Sequence, residues 1–352
     1  MSIAFYVHHH GSGHSHRAAA VASHLRSDVV GLSSRAAPAG WTGRWVRLAD
    51  DADGYDASDS HDTGATAPVD PTAGGVLHWA PQHHPGLRER TAAISAELAG
   101  GDVALVITDV SAEVSLLARL HGVPVVVMAQ PGDRTDRTHR LAFDLATRLL
   151  APWPETVGPP AGWPDAWHAK TTYLTSVSRF DGRPAPGTGT DATGGRRVLV
   201  LWGSGGIDVS AAQLRGAAAA APGWTWEVAG PPAPSGDDPP NLTWCGWTDD
   251  VWAALHRADV VVTHAGQNAV AEVAAARRPA VVVPQDRPHD EQRATGRALA
   301  GLATVVTSWP EPACWPRLLD DAAGRGGAGW SAWSSGTGAR RAAAVLDALV
   351  GS

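Results

Sequence analysis

The feature that most limits how this chain can fold is an alternation of short apolar runs with helix-length segments, interrupted once and then begun again. Before the interruption, apolar runs over 3–7, 103–108 and 124–129 read as strands. Segments 14–25 and 111–121 read as helices, the first with Ala18, Val21, Ala22 and Leu25 on one face. Residues 181–196, DGRPAPGTGTDATGGR, carry no periodic apolar residues and read as a linker. The order then resumes with strands over 197–202, 224–229, 258–263 and 280–283, and helices over 209–221, 249–257 and 267–278. Strands that alternate with helices predict parallel sheets. The chain is therefore expected to be α/β, with two Rossmann-like doubly wound domains, 1–180 and 197–335, that face a cleft. Ligands of such sheets bind beyond the carboxyl ends of the strands.

A length of 352 residues suits two cores of this kind. Hydrophobic residues make up 44% and charged residues 18%, which places the chain among globular proteins. No apolar run approaches the roughly 20 residues of a membrane helix, and no basic region followed by an apolar core marks a secretory signal. Cys245 and Cys314 are too few for a disulfide framework or a zinc cluster, so the reading is a reducing cytoplasm. A net charge of −7 gives no basic footprint for nucleic acid. Lys170 is the single lysine, and the bias to Arg, Ala, Gly and Pro fits a GC-rich bacterial genome. The 16 tryptophans can stack on sugars, but most are expected in the core.

Two stretches carry chemistry. The later one, VVVTHAGQNAVAEVAAARRPAVVVPQDRPHDEQRATGRAL, covers 260–299. His264 stands where a strand ends, and Gly266 permits a tight turn. Backbone N–H groups around Gly266, Gln267, Asn268 and Ala269 open a helix and can cradle a phosphate. Glu272, four residues after Asn268 on the same face, can accept two hydrogen bonds from a ribose diol. Together these fit a nucleoside diphosphate. The plainer alternative makes His264 and Asn268 helix caps and Glu272 a solvated charge.

The segment HAGQNAVAE, followed by Pro284 and by Asp290, Glu291 and Gln292, resembles the donor-binding motif of inverting glycosyltransferases of the two-domain GT-B fold. The C-terminal half is most similar to glycosyltransferase family 28. The resemblance implies that His264 and Asn268 contact the diphosphate, Glu272 the ribose, and Asp290, Glu291 and Gln292 the sugar hydroxyls. Gly203, Ser204 and Gly205, in LWGSGG, resemble the family's phosphate-side glycine loop. Trp247 and Thr248, in WCGWTDD, match the segment whose backbone holds the base. The final segment, 336–352 with an amphipathic pattern over 337–349, is expected to pack back on the first domain. No cofactor and no metal are implied. The co-substrate is a UDP- or dTDP-sugar, and the acceptor is a small molecule, a glycan or a lipid, the last bringing peripheral contact with a membrane.

The earlier stretch, HHGSGH at 9–14, sits at the first strand-to-helix turn. Family 28 has a glycine-rich turn ending in Gly-His there, here Gly11, Ser12, Gly13 and His14, but glycines where this chain has His9 and His10. His14 is the candidate general base, since imidazole can take a proton from an acceptor hydroxyl near neutral pH. Helix capping or substrate positioning is its alternative role. A metal role for His8, His10, His14 and His16 matches no standard site. His10, Gly11, Ser12, Gly13 and Asp109 are candidates for the acceptor side. Asp109 and Glu113 read equally as helix N-terminal acids. Arg17 and Arg134 are cleft candidates for an anionic acceptor or the diphosphate. Asp51-Ala52-Asp53, in the acidic stretch 49–75, is read as a chance match to a metal motif. Two rival functions remain open at this stage: a sugar-nucleotide 2-epimerase of the same fold, and a non-catalytic sugar-nucleotide or metal-binding protein.

Overall fold

The computed structural model describes residues 1–9, 11–52, 68–184, 195–203, 208–232 and 234–351. Two wholly parallel sheets organise it. The first contains β1 (Ser2–Val7), β2 (Asp28–Ser33), β3 (Arg44–Arg47), β4 (Val103–Asp109), β5 (Val125–Met128), β6 (Arg148–Ala151) and β7 (Thr171–Tyr173), in the order β3-β2-β1-β4-β5-β6-β7. The second contains β8 (Arg196–Leu201), β9 (Trp224–Ala229), β10 (Leu242–Gly246), β11 (Val260–Thr263), β12 (Ala280–Val282) and β13 (Thr304–Val305), in the order β10-β9-β8-β11-β12-β13. Central strands such as β1 and β11 are apolar along their length because helices cover both faces; Ile3, Ala4 and Phe5 have no exposed surface, nor do Val260, Val261 and Val262.

In each sheet the chain starts at a central strand, winds to one edge, then returns to the other side of that strand. The reversal lies between β1 and β4 in the first sheet and between β8 and β11 in the second. Adjacent connections leave such a pair on opposite faces, so a crevice opens at its carboxyl end. Both candidate stretches issue from these crevices.

Six strands escaped the sequence reading: β2, β3, β6, β7, β10 and β13. Of these β3, β7 and β13 span four, three and two residues, too few to show a period. The helix Pro85–Ala99 was also missed, because Arg90 shares its buried stripe with Ile94 and Leu98. Its start is nonetheless well made: His84 caps it, Nδ1 accepting from the Leu87 N–H at 3.2 Å, with proline in the first turn.

The last helix, Gly338–Val350, buries Ala339, Ala342, Ala343 and Leu346 against Ala18, Val21 and Ala22 of the helix Gly13–Ala22 and against β1. Small residues on both sides permit the close approach. Asp347 fastens the contact, accepting from the backbone N–H groups of Arg26 at 3.0 Å and Ser27 at 3.1 Å. Trp167, Trp202, Trp226, Trp315 and Trp330 are fully buried, so tryptophan serves chiefly as core. Most of the expected linker, 185–194, lies outside the described residues.

Candidate functional site: two crevices facing one cleft

At the first crevice, β1 delivers the turn Gly11–Gly13 and β4 delivers Asp109. Gly11 has a left-handed φ of 71°, which glycine adopts without strain. Ser12 is the residue before the helix. Gly13 has no room for a side chain, since a Cβ there would stand 2.2 Å from Nδ2 of Asn268 in the other domain. His14 opens the helix and places Nδ1 2.8 Å from Oδ2 of Asp109. Arg17, one turn on, donates from Nη2 to Asp109 Oδ1 at 2.5 Å. Burial alone would raise the Asp109 carboxyl, but Arg17 and the His14 hydrogen bond hold it well below the usual carboxylate range. Asp109 is thus an acceptor, His14 Nδ1 carries the proton, and Nε2 is left as the proton-accepting nitrogen. The His14 side chain is 22% exposed while that of Asp109 is 1% exposed.

At the second crevice, β8 delivers Gly203 and β11 delivers His264. The His264 Nδ1 accepts from the Gly266 N–H at 3.0 Å. Burial and the nearby Arg287 charge push its pKa down to about 4, so the ring is neutral and Nε2 carries its proton. That N–H faces Gly203, where a Cβ would be 3.5 Å away. The helix Gln267–Ala275 starts at once, with Gly266 as its cap. Trp247 follows β10 and is 59% exposed, and Thr248 beside it is half-buried. Of the expected residues, His10, Ser204 and Gly205 lie outside the described residues.

Three arginines of the first domain reach across the cleft. Arg17 donates to Gln267 Oε1 at 3.0 Å, Arg134 to Glu291 Oε2 at 2.7 Å, and Arg179 Nε lies 2.8 Å from Glu272 Oε1. The surroundings of the expected residues follow from these contacts. Arg17 and Arg134 are only 2% and 3% exposed and already paired, so neither stands open for an anion. Glu291 is the partner of Arg134. Gln292 is buried, and its Oε1 accepts from the N–H groups of Ala265 at 3.1 Å and Gln285 at 3.0 Å. It clamps the His264 turn to the segment after β12. Asp109 is too deep for an acceptor to touch and acts on His14. Glu113 holds the segment before the helix Pro85–Ala99, accepting from the Trp79 N–H at 3.2 Å. Asp290 is left-handed at φ 55° and pairs with Arg297 at 2.8 Å. Arg179 was missed altogether; its one signal is a lone charge in the small-residue run just before the linker.

A cavity of about 810 Å³ opens in the first domain. Leu77, Trp79, Leu87, Ile94 and Leu117 line it together with His8 and His9. The His8 ring centroid is 5.7 Å from that of His14, so the cavity reaches the first crevice. Asp51, read as chance from sequence, is buried in its wall and paired with Arg90, which donates to the Tyr6 hydroxyl at 2.9 Å. A second cavity, about 740 Å³, lies between the domains against Gln267 and Asp290.

Among the described residues, one set of three could hold a metal ion: Asp136, His139 and His289, whose donor atoms lie within 4.8 Å of one another. The Arg134 guanidinium stands 3.3 Å from Nε2 of His139, a fixed cation that would repel a dication bound there. The opening histidines form no such set among the described residues.

Residues 233–302 match the model of the glycosyltransferase family 28 C-terminal domain. The structure is similar to that of the glycotransferase of kitacinnamycin, with a TM-score of 0.69 and 16% identity over 99% of this chain and 98% of that one. The fold is GT-B. The calicheamicin glycosyltransferase CalG4 shares this GT-B architecture at a TM-score of 0.67 and 17% identity, over 99% of this chain and 98% of its own. Acinetobacter baumannii MurG does so at 0.59 and 18%, over 99% of each chain. No curated protein sequence matches the chain.

Proposed function

We propose that the protein transfers a sugar from a nucleoside-diphosphate sugar to a hydroxyl group of an apolar small molecule, with inversion at the anomeric carbon and without a metal ion. The observation that carries this reading is His14, tied through Nδ1 to a buried carboxylate, with its ring 5.7 Å from that of His8 in the wall of a largely apolar cavity. A sugar-nucleotide 2-epimerase has no use for such a cavity.

The acceptor lies in the cavity with its hydroxyl on His14 Nε2. As the acceptor oxygen bonds to the anomeric carbon, the bond from that carbon to the diphosphate oxygen breaks and Nε2 takes the hydroxyl proton. Asp109 stabilises the imidazolium, as a carboxylate does when it orients a catalytic base. Attack from the face opposite the diphosphate inverts the anomeric carbon. The leaving diphosphate sits on the other domain, where the N–H groups that open Gln267–Ala275 and the neutral His264 Nε2–H donate to it in place of a cation. Trp247 and Thr248 lie beside the base, Glu272 takes the nucleoside sugar, and Asp290 faces the transferred sugar. The resemblance also assigns Ser204 and Gly205 to the phosphate.

A panel of sugar nucleotides is tested with hydroxylated aromatic and polycyclic acceptors, and the anomeric configuration of the product is read by NMR. The expected result is a glycoside of opposite configuration to the donor. Release of a free epimerised sugar nucleotide, with no acceptor consumed, would favour the epimerase.

A further inference from the structure

Glu272 offers two carboxylate oxygens at the place where a nucleoside sugar would lie, and one already faces a cation. Arg179 Nε stands 2.8 Å from Oε1. The guanidinium is not a loose surface group: it lies over the Phe180 ring, 4.8 Å from the centroid, and its Nη1 is 3.5 Å from Nε2 of His16. His16 is kept neutral by burial and by the Arg179 charge, with its pKa down to about 4, so it does not repel the arginine. Glu272 itself is 8% exposed, with apolar Ala271 and Val273 at its flanks, and Arg179 is the one charge that offsets the rise burial imposes on its carboxyl. The pair is therefore a built part of the site.

A ribose presents two adjacent hydroxyls, and a carboxylate receives both by giving one oxygen to each. A 2′-deoxyribose presents only the 3′-hydroxyl and needs one oxygen. We infer that Arg179 makes this site select 2′-deoxyribonucleoside diphosphates over ribonucleoside diphosphates, by holding the carboxylate oxygen that a 2′-hydroxyl would require. The inference rests on the reading of Glu272 as the carboxylate that takes the nucleoside sugar. A ribonucleotide must share Oε1 with the guanidinium or displace it, which weakens or breaks a half-buried ion pair. Either outcome costs affinity. A deoxyribonucleotide uses the remaining oxygen and leaves the pair whole.

UDP and 2′-deoxy-UDP differ only at this oxygen, which makes them the probes. Both are titrated calorimetrically into the full-length protein, the R179A and R179Q variants, and E272A. The wild type is expected to bind 2′-deoxy-UDP about tenfold more tightly than UDP, the scale of one unmade hydrogen bond. R179A and R179Q should close that gap, chiefly by strengthening UDP. Equal or tighter binding of UDP by the wild type, or an unchanged ratio in both arginine variants, overturns the selectivity. If E272A binds both nucleotides as tightly as the wild type, or the wild type binds neither, the donor reading of Glu272 fails and the selectivity falls with it.

Discussion

At the first crevice a strand, a glycine turn and a helix bring His14 to within 2.8 Å of a buried carboxylate. At the second, the same sequence of elements brings His264 to a backbone N–H at 3.0 Å. One imidazole is thereby given a partner that stabilises its charged form, and the other is buried where charging is disfavoured. The difference follows from what each must face. A group that receives a proton during the reaction needs a negative neighbour to stabilise the cation it becomes. A group that donates to a diphosphate works as a fixed neutral dipole, because a carboxylate at its back would repel the ligand. Topology supplies two equivalent places, and the residue that follows each strand decides their chemistry.

The largest effect should come from breaking the first crevice. His14→Ala is expected to lower kcat by about 10²- to 10⁴-fold, and Asp109→Asn by a similar factor. Nucleotide affinity should stay within about twofold, since both residues belong to the other domain. Steady-state rates beside calorimetric titration separate the two readouts, and wild-type turnover in His14→Ala would erase the proposed division of labour. Breaking the second crevice should do the reverse. Glu272→Ala is expected to weaken nucleotide-sugar binding by about 1.5–3 kcal/mol, the scale of charge-assisted hydrogen bonds. An unchanged Kd in a folded variant would remove Glu272 from the site.

Acid sharpens the contrast. His264 and the buried His139 both stay neutral in the folded protein down to about pH 4, whereas the unfolded chain protonates them near 6.5. Below 6.5 the unfolded state therefore binds more protons, and stability falls as pH drops. Between pH 7 and 5 each histidine should cost about 2 kcal/mol. His264→Gln should remove its share, seen as a smaller drop in Tm between the two pH values; an equal drop would mean that the ring is already charged. The smallest expected effect is that of a chelator. EDTA should change kcat by less than about twofold, because N–H donors take the place of a cation. Loss of turnover that a divalent ion restores would direct attention to Asp136, His139 and His289.

The alternation of strands and helices, and the glycine turns that end β1 and β11, were legible because they are local: period, strand length and turn residues are properties of neighbouring positions. The motif residues His264, Gly266 and Asn268 were legible for the same reason. Gln292 was legible only in part. Its spacing from Pro284 marked it as important, but spacing does not say whether a carboxamide turns outward to a ligand or inward to two backbone N–H groups. Asp51 was dismissed since its partner, Arg90, lies 39 positions away on a helix whose stripe that same arginine interrupts.

By itself, then, the sequence determined the α/β class, the pair of domains' worth of strand and helix, and the two glycine turns at strand ends. Only the tertiary structure decided who partners whom. Asp109 is 95 positions from His14, Gln267 is 250 from Arg17 and Glu291 is 157 from Arg134. Each of these contacts depends on sheet order and on the closure of one domain against the other, and a short-range pattern holds no record of either. Charge, moreover, acts through distance in space. The same carboxylate is a helix-end acid or the partner of a base according to what the fold brings within about 3 Å of it.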